Sequence, residues 1–382
     1  MGNPIQTLSA GVVLVAADDC WIEGNAIQQL QTTARLPGMR QVAGMPDLHA
    51  GRGYPVGAAF FSAGRFYPAL VGNDIGCGMS LWRTDIATAK LHLDKLEQRL
   101  GSIDGPLEEH WQPRLDALGL DAGAHARSLG TIGGGNHFAE LQQLDEVHDA
   151  EAVAALGLER RRLLLLVHSG SRGLGEAILH EQVDRHGHQG LEAGSEAAAH
   201  YLARHAAALR YARANRELIA RRMLARLRAE GTAVLDIDHN LVEPARIGGE
   251  DGWLHRKGAT PADRGAVVIP GSRGDYSYLV QPLDSAAADE TLHSLAHGAG
   301  RKWQRGDCKA RLSSRYKPAQ LQRTALGSRV ICDDRALIWE EAPEAYKPVD
   351  AVVGALRDAG LLRLLARLKP VLTYKTRREC CP

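Results

Sequence analysis

The sequence predicts an α+β fold in which β-sheets are flanked by helices and the active site lies at the ends of strands. Three observations lead to this class. Short apolar runs of strand length alternate with glycine-rich turns, one long segment has helical composition, and no stretch rich in proline, glycine or serine forms a linker. A chain of 382 residues is long enough for one large core. We therefore expect one compact domain that spans residues 1–382.

The first third of the chain combines predicted strands with a predicted helical region. Between residues 10 and 80 the apolar runs are broken by turns, as in "GVVLVAAD", "GYPVGAAFF" and "YPALVGNDIGCG". Such runs are typical of strands joined by tight loops. Residues 85 to 120 contain "AKLHLDKLEQRL", in which leucines recur at helical spacing, so this region is predicted to be helical.

A long helical segment is predicted at about residues 195–230. The segment is rich in alanine, leucine and arginine and contains no proline. Between Tyr201 and Glu230 it carries eight arginines and two glutamates, which makes it the one locally basic element. Most of these arginines are expected on a solvated helix face. The alternative is a subset that faces a groove and contacts phosphates.

Composition limits the classes of function that the chain can have. Apolar residues make up 45% and charged residues 24% of the chain, and the formal net charge is +1. Any nucleic-acid contact must therefore come from a local patch, because no global field attracts a polyanion. The sequence shows no export signal, no apolar run of about 18 residues and no disulfide framework among its six cysteines. These features favour a reducing, cytoplasmic setting.

Polar side chains lie at the ends of several predicted strands. They comprise one carboxylate, one thiol and three imidazoles: Asp74, Cys77, His137, His168 and His239. A strand end fixes a side chain better than a mobile loop does, so these positions suit metal ligands. Each residue alone is also compatible with a turn residue, an inert core thiol or a satisfied buried histidine. Together they suit one or two transition metals, because a thiolate can bridge two ions about 3.5–4 Å apart.

Loops of glycine and serine after two strands are candidate anion sites. The loops "HSGSRGLG" and "IPGSRGDYS" expose backbone N–H groups that can surround phosphate oxygens, although ordinary turns have the same composition. Neither is a Walker A loop, since Gly-Lys-Ser/Thr does not follow. Fixed positive charge near such loops suits phosphoryl transfer and comes from Arg172, Arg256, Lys257, Arg273 and Arg301.

The motif "HGAGR" places His297 among small residues. A turn at a helix end is one interpretation of this motif. The alternative is a nucleophilic histidine, because small neighbours leave the ring accessible and an imidazole nitrogen can form a covalent phosphoramidate.

Seven motifs occur in the order found in one known family. They are "MPDLHAGRGYPVG", "GNDIGCGM", "GGGNHF", "HSGSRGLG", "HRKGAT", "PGSRGDYSY" and "HGAGR". On these motifs the chain, from about Gly44 to Lys375, resembles the RtcB-type RNA-splicing ligases. The resemblance implies an RtcB-like domain that joins an RNA end bearing a 3′-phosphate or 2′,3′-cyclic phosphate to a 5′-hydroxyl end. It also implies the use of GTP and manganese.

The resemblance further implies roles for individual residues in catalysis and metal binding. His297 matches the family's nucleophile, which becomes guanylylated with release of pyrophosphate and passes GMP to the RNA 3′-phosphate. Two manganese ions are implied: Cys77 bridges them, His137 and His168 complete one site, and Asp74 and His239 complete the other.

Nucleotide and RNA contacts are implied in the same way. Asn136 matches a residue that contacts nucleotide phosphate, and the three glycines before it are expected to let the backbone pass close to metal and phosphate. Matches on the guanine and ribose side are Glu140, Ser272, Ser277, Tyr346 and Lys375. Basic residues expected near the phosphates are Arg172, Lys257 and Arg301.

The chain departs from the family pattern beside the predicted nucleotide site. Arg273 and Asp275 in "PGSRGDYSY" stand where the family usually has methionine and threonine, which leaves nucleotide choice open. The residues upstream of His297 lack the common cysteine. The chain is similar to a bacterial branch linked to release factor H. The implied partners are therefore RNA, GTP, an archease-like activator and a protein of the release-factor-H type, with no membrane.

Two other functions are compatible with the residues. A metal-dependent cyclic phosphodiesterase would use the same ligands but would not need His297. A non-enzymatic RNA-binding protein would be expected to have lost ligands, and the presence of all five argues against it.

Overall fold

The structure is a computed structural model of the chain and describes residues 4–17, 20–89, 91–120 and 123–377. Within these ranges it contains eighteen strands and ten α-helices, which confirms the predicted α+β class. None of the helices in these ranges has the length and apolar character needed to cross a membrane. The paired cysteines of the C-terminal "ECCP", to which the sequence assigns no role, lie outside the described residues.

The strands, in chain order, are β1 (Ile5–Ser9), β2 (Val12–Val15), β3 (Met39–His49), β4 (Val56–Ser62), β5 (Arg65–Phe66), β6 (Gly78–Ala87), β7 (Phe138–Val147), β8 (Arg162–Ser169), β9 (Leu191–Glu192), β10 (Gly231–Asp238), β11 (Asn240–Ile247), β12 (Glu250–Lys257), β13 (Ala259–Pro261), β14 (Val267–Pro270), β15 (Ser277–Pro282), β16 (Ser294–Ala296), β17 (Arg329–Cys332) and β18 (Leu362–Thr376). The helices are α1 (Gly24–Thr33), α2 (Leu93–Leu100), α3 (Gln112–Leu118), α4 (Ala150–Ala155), α5 (Gly173–His186), α6 (Glu196–Leu227), α7 (Ala286–Glu290), α8 (Arg305–Leu312), α9 (Leu337–Glu340) and α10 (Val349–Asp358).

Two large sheets organise the fold. One has six strands in the order β1-β2-β3-β4-β12-β11. The other has eight strands, with the main order β10-β6-β8-β7-β18-β15-β14 and with β17 paired in parallel to β18. Neighbours along the main order of this larger sheet are antiparallel. Two short pairs, β13 with β16 and β5 with β9, lie beside the large sheets.

Apolar side chains on the sheets pack against helices and against one another. The six-stranded sheet contributes Met45 and Phe61 to a core that also contains Ile269 of β14 and Val352 of α10. The eight-stranded sheet is covered by α2 and α6 through a second core, which includes Leu165, Val167, Ile219 and Met223. These cores hold the two sheets in fixed positions around the site described below.

The long helix α6 occupies Glu196–Leu227, within the segment predicted at about 195–230. Its first turn is capped because Ser195 Oγ accepts the backbone N–H of Ala198 at 3.1 Å. Most of its arginines are not buried, as expected, and the exceptions are Arg216 and Arg222, which are 0% and 3% exposed. Both bond to carboxylates and backbone carbonyls, which satisfies their charge inside the protein.

The prediction of a helical region over residues 85–120 is correct only in part. Strand β6 extends to Ala87, and the region contains two short helices, α2 and α3, with loops between them. Gly101 follows α2 with a φ of 59°, a conformation that favours glycine and ends the helix. The leucine spacing therefore identified α2 but not its end.

Candidate metal and nucleotide site

Antiparallel pairing brings four predicted ligands to one end of the eight-stranded sheet. Cys77 immediately precedes β6 and His137 precedes β7, whereas His168 lies near the end of β8 and His239 follows β10. Strands β10, β6, β8 and β7 are neighbours in that order. Because antiparallel neighbours run in opposite directions, the starts of β6 and β7 lie beside the ends of β8 and β10.

The side chains meet at a buried centre. Cys77 Sγ lies 3.1 Å from His168 Nε2 and 3.4 Å from His137 Nε2. The Nε2 atom of His137 lies 2.8 Å from Asp74 Oδ2, and that of His168 lies 3.4 Å from His239 Nε2. The structure therefore brings all five predicted ligands together.

Backbone carbonyls orient two of the imidazole rings. His137 Nδ1 lies 3.2 Å from the Ile132 carbonyl oxygen, and His168 Nδ1 lies 3.3 Å from that of Asn136. A ring whose Nδ1–H donates to a carbonyl has its lone pair on Nε2. Both Nε2 atoms face the centre, and an imidazole binds a metal ion in the form that carries its lone pair on this atom.

The protonation chemistry of the cluster suits a cation. Burial raises the pKa of the Cys77 thiol, and the Asp74 carboxylate raises it further, so a thiolate here needs added positive charge. Burial and neighbouring histidines lower the pKa of His168 and His239 and keep these rings neutral. Burial opposes the ionisation of Asp74, but His137 holds the pKa of that carboxyl below its usual value. Among the described residues, Asp74 Oδ1 and His239 Nδ1 are buried without a hydrogen-bond partner. The donor set therefore fits a transition metal.

The ligand atoms fall into two groups that share Cys77. One group is Cys77, His168 and His239, the other is Asp74, Cys77 and His137, and the atoms of each lie within 4.8 Å of one another. These groups differ from the implied pairing of His137 with His168 and of Asp74 with His239, which stays a prediction. Asp74 contacts His137 directly, while the ring of His239 lies 5.2 Å from that of His168.

His297 lies beside this centre and is oriented by Asp47. Its ring centroid is 4.8 Å from that of His239. Its Nδ1 atom lies 2.6 Å from Asp47 Oδ2, which also accepts the backbone N–H of His297 at 3.2 Å. This contact leaves Nε2 as the ring nitrogen available for bond formation. Because His297 follows strand β16, its interpretation as a helix-end turn is wrong.

Asp47 is a site residue that the sequence analysis missed. It is fully buried within the apolar part of β3. Aspartate is rarely buried unless it is paired, so a charged residue inside an apolar strand was the available signal.

A cavity of about 400 Å³ opens beside the metal ligands. Small-molecule sites have volumes of about 300–1,000 Å³, so this cavity has a suitable size. Its walls include His297 and six of the predicted nucleotide and phosphate residues: Asn136, Lys257, Ser272, Arg301, Tyr346 and Lys375. Within the described part of the chain, Glu140, Ser277 and Arg172 are not among its walls.

Glu140 and Ser277 belong instead to a buried cluster of hydrogen bonds. Glu140 accepts a bond from Thr373 Oγ1 at 2.5 Å and another from Gln142 Nε2 at 2.7 Å. Gln142 Nε2 also donates to Ser277 Oγ at 2.8 Å. Burial raises the pKa of Glu140 to about 7, although Thr373, Gln142 and Lys375 lower it. The guanine-side contacts implied for Glu140 and Ser277 stay predictions.

At one side of the cavity, cationic side chains surround the buried carboxylate of Glu341. Burial opposes its ionisation, but Lys375, Arg305 and Arg301 lower its pKa to about 2. Arg301 also donates to the Tyr346 hydroxyl at 3.1 Å, and its other partners are protein groups: Trp303 O, Glu340 O and Cys308 Sγ. Arg305 also lies 3.6 Å from Glu340, so three cations face two carboxylates, and the remaining positive charge suits phosphate. None of the sequence motifs indicated Arg305 or Glu341.

The side chain of Arg172 lies close to the backbone of the glycine run at residues 133–135. Gly133 has a φ of 90°, and a Cβ atom there would lie 1.7 Å from Arg172 Nη1. A side chain of the protein therefore lies against this loop, and the positive φ at position 133 favours glycine. Arg172 packs on this loop, and its predicted phosphate contact stays a prediction.

The two departures from the family pattern have different surroundings. Arg273 lines the cavity and donates from Nη2 to the Ile338 carbonyl at 2.7 Å. Asp275 accepts the backbone N–H groups of Tyr276 and of Val349 at the start of α10. Arg273 is therefore the departure that faces the cavity.

Arg256, another predicted phosphate cation, serves a different purpose. It is 1% exposed, pairs with Glu243 and donates to Ser294 Oγ at 2.9 Å. These contacts satisfy its charge away from the walls of the cavity, so the expectation of a phosphate-facing Arg256 is wrong.

A second cavity, of about 750 Å³, adjoins the first. The two share five wall residues: Arg52, Val56, Gly72, Asn73 and Lys257. In the second cavity the Tyr54 ring lies 6.5 Å from the His188 ring and 5.8 Å from Lys257 Nζ. Its walls also contain the carboxylate Glu176. Sites that bind single-stranded nucleic acid commonly combine an aromatic ring, on which a base stacks, with arginine and lysine side chains.

Proteins of similar sequence carry the names of RNA ligases. The family model described as tRNA-splicing ligase RtcB matches residues 29–111 and 117–376. The chain is 58% identical over 375 residues to the RNA-splicing ligase RtcB2 of Escherichia coli, with 98% of each chain covered. It is 32% identical to the tRNA-splicing ligase RtcB of Archaeoglobus fulgidus, covering 92% of this chain and 91% of that one. It is 31% identical to the RNA-splicing ligase RtcB of Mycobacterium tuberculosis, covering 90% and 99%. The chain therefore belongs to the RtcB family of RNA ligases.

Proposed function

We propose that this ligase depends on GTP and manganese and joins RNA 3′-phosphate or 2′,3′-cyclic phosphate ends to 5′-hydroxyl ends. The observation that carries the proposal is an aspartate-held histidine next to a buried cluster of thiol, imidazole and carboxylate ligands. A nucleophile beside such ligands, in a cavity with cationic walls, is what nucleotidyl transfer requires.

The proposed cation ligands are the two groups that share Cys77. Thiolate and imidazole donors favour a transition metal over magnesium, and the family resemblance favours manganese. Bound cations would neutralise phosphate charge and stabilise the departing pyrophosphate. Zinc suits the same donors, so we expect it to compete for the site.

His297 is the proposed nucleophile. Asp47 accepts the Nδ1–H bond, so the Nε2 lone pair is free to attack the α-phosphorus of GTP. The bond from Nε2 to phosphorus forms as the bond from phosphorus to the pyrophosphate oxygen breaks. The Asp47 carboxylate stabilises the positive charge that develops on the ring.

Two further transfers complete the proposed reaction. An oxygen of the RNA 3′-phosphate attacks the guanylyl phosphorus, breaks its bond to Nε2 and yields an RNA end capped as 3′-pp-guanosine. The 5′-hydroxyl oxygen of the second RNA end then attacks the 3′-phosphorus and expels GMP as the phosphodiester forms. A 2′,3′-cyclic end would first be hydrolysed to the 3′-phosphate.

The walls of the two cavities support separate binding of nucleotide and RNA. We assign GTP to the cavity of about 400 Å³, with Asn136 near the phosphates and with Ser272, Tyr346 and Lys375 on the guanine and ribose side. We assign an RNA end to the cavity of about 750 Å³, because Tyr54 offers a stacking face and Arg52 and Lys257 offer positive charge. Contacts from Glu140, Ser277 and Arg172 would require rearrangement on binding.

The family resemblance supports three further parts of the proposal. They are a cytoplasmic role in RNA repair or tRNA splicing, activation by an archease-like protein, and a functional link to a protein of the release-factor-H type. Faster turnover after addition of a purified archease-like protein would support the second part, and an unchanged rate would contradict it.

Guanylylation tests the proposal directly. Incubation with manganese and α-labelled GTP should label the protein through a bond that survives alkali and breaks in acid, as expected of a phosphoramidate. His297→Ala should abolish the label. His205→Gln, which alters a buried histidine of α6 away from the cavity walls, should retain it.

Cys77→Ala tests the shared metal ligand, which the ligase and its phosphoesterase rival both require, and labelling of the wild-type protein separates the two. Both labelling and hydrolysis of cyclic ends should be lost, because the two cation groups share this thiolate. A wild-type protein that hydrolyses cyclic ends but never becomes labelled would be a phosphoesterase, and the ligase proposal would then fail.

A further inference from the structure

Helix α6 holds a fully buried arginine that contacts the strand ends carrying the proposed metal ligands. Arg216 is 0% exposed, and each nitrogen of its guanidinium donates at least one hydrogen bond. The bonds run from Nη1 to Gly76 O at 2.6 Å and Ser169 O at 3.1 Å, from Nη2 to Asp238 Oδ1 at 2.7 Å, and from Nε to Asp236 Oδ1 at 2.6 Å.

Three of these four acceptors adjoin a proposed ligand in the chain. The planar guanidinium presents its N–H donors in a rigid arrangement, so it sets the spacing of the groups that it bonds. The pairs are Gly76 before Cys77, Ser169 after His168, and Asp238 before His239. One side chain thus joins three separate strand ends.

The neighbouring Asn215 extends these contacts to a fourth ligand. Its Oδ1 accepts the backbone N–H of Gly130 at 2.7 Å, and its Nδ2 donates to Ser169 Oγ at 3.1 Å. Ser169 Oγ in turn donates to the Ile132 carbonyl, which also lies 3.2 Å from His137 Nδ1. The same helix therefore holds the carbonyl that orients His137.

Two glycines let α6 come this close to the strand ends. Gly76 has a φ of 73°, and a Cβ atom there would lie 2.8 Å from Ala212 Cβ on α6. A Cβ atom on Gly78 would lie 3.0 Å from Arg216 Nη1. The short approach is thus specific to this helix and to these loops.

We propose that Arg216 is a positioning residue for the metal centre, an inference that rests on the proposed function. Arg216 and Arg213 pair with Asp236 and Asp238, so two positive charges offset two negative ones. These four charges sum to zero, so we expect Arg216 to act on metal binding through the positions of the ligands.

A measurement of metal affinity shows whether Arg216 positions the proposed ligands or contributes only to folding. Arg216→Lys keeps the charge but offers one nitrogen in place of three. We expect Mn²⁺ affinity to fall about 10–100-fold, the usual range for a partner that orients metal ligands. Titration calorimetry with MnCl₂ measures this loss, and the thiolate-to-metal absorption of the Co²⁺-loaded protein reports the altered geometry without any assay of activity.

Arg222→Lys provides a matched control. Arg222 is also buried on α6, and it donates to the carbonyls of Ile103, Gly105 and Gly130, none of which adjoins a proposed ligand. The N–H of Gly130 is bonded by Asn215 and the Ile132 carbonyl by Ser169 Oγ, so both of these bonds remain in Arg222→Lys. Both variants should lower the melting temperature of the metal-free protein. Only Arg216→Lys should weaken metal binding, and equal affinities in the two variants would overturn the inference.

Asp236→Asn covers the case in which Arg216→Lys does not fold. Asp236 is partly exposed and accepts a bond from Arg216 Nε, so its loss should loosen the arginine without unfolding the protein. A smaller drop in Mn²⁺ affinity with a shifted Co²⁺ spectrum supports positioning, and an unchanged affinity and spectrum contradict it. Wild-type protein that binds neither ion would instead contradict the proposed function, and the inference with it.

Discussion

Replacement of Asp47 tests how His297 is prepared for attack. One oxygen of Asp47 accepts both the Nδ1–H of His297 at 2.6 Å and its backbone N–H at 3.2 Å. A backbone N–H can only donate, so in Asp47→Asn the amide oxygen, and not the NH₂ group, should take this position. The ring then keeps its tautomer, and only the negative charge is lost.

The expected rates follow from the strengths of these hydrogen bonds. A bond to a charged acceptor contributes roughly 1.5–3 kcal/mol and a neutral one roughly 0.5–1.5 kcal/mol. The difference, about 1–1.5 kcal/mol, predicts roughly tenfold slower guanylylation in Asp47→Asn. Asp47→Ala removes both bonds and frees the ring, so a loss of about 3 kcal/mol, or roughly 100-fold, is expected.

Single-turnover labelling with α-labelled GTP at saturating manganese measures these rates. Titration calorimetry should show that both variants keep wild-type metal affinity, because Asp47 contacts His297 and is in neither ligand group. Equal labelling rates in wild type and Asp47→Ala would refute the role of the carboxylate. A rate in Asp47→Asn as low as in Asp47→Ala would refute the argument that the backbone N–H selects the amide oxygen.

Other side chains offer three further tests. Cys77→Ser should lower Mn²⁺ affinity by about 100-fold in calorimetry, because a hydroxyl replaces the shared thiolate, and an unchanged affinity would contradict its bridging position. Burial raises the pKa of Glu140 from 4.5 to about 7, so the free energy of unfolding of the ligand-free protein should fall as pH rises through this interval. In Glu140→Gln this pH-dependent decrease in the free energy of unfolding, measured by urea titration, should be smaller by up to about 3 kcal/mol. Identical pH profiles of unfolding free energy in the variant and the wild type would argue against the raised pKa. Tyr54→Ala should raise the KM for RNA at least roughly fivefold through lost stacking, with guanylylation unchanged and Tyr54→Phe as the matched control; an unaltered KM would exclude RNA from the second cavity.

Local patterns were sufficient for the class of fold and for the set of side chains that meet at the buried centre. Alanine and leucine without proline identified α6, and polar residues beside apolar strands identified five side chains that meet in space. Both signals act over a few residues, which is the range at which backbone propensity and side-chain alternation operate.

Contacts that depend on strand order could not be derived in this way. Asp47 and His297 are 250 residues apart, and nothing in either motif indicates that β3 approaches β16. The pairing of ligands around Cys77 likewise depends on which strands are neighbours. Register and neighbour choice are long-range properties, so the sequence of one element does not contain them.

Depth along a strand is a second property that a motif does not give. Phe138 and Glu140 lie on the same face of β7, because side chains alternate along a strand. Phe138 lines the cavity, but Glu140 lies two residues further into the sheet, where Gln142 and Thr373 cover its carboxylate. A motif that names the correct face therefore does not say how far a side chain lies from the ligand.

The meeting of four strand ends has a consequence for how the protein is made. The strands that supply these ends begin at Gly78 and finish at Asp238, and the strand before His297 comes later still. Such pairings between distant segments form late in folding, after the entropy of closing long loops has been overcome. A growing chain therefore carries its cysteine and histidines before they can act together, and the proposed metal centre can form only after His239 has been made and the four strands have paired.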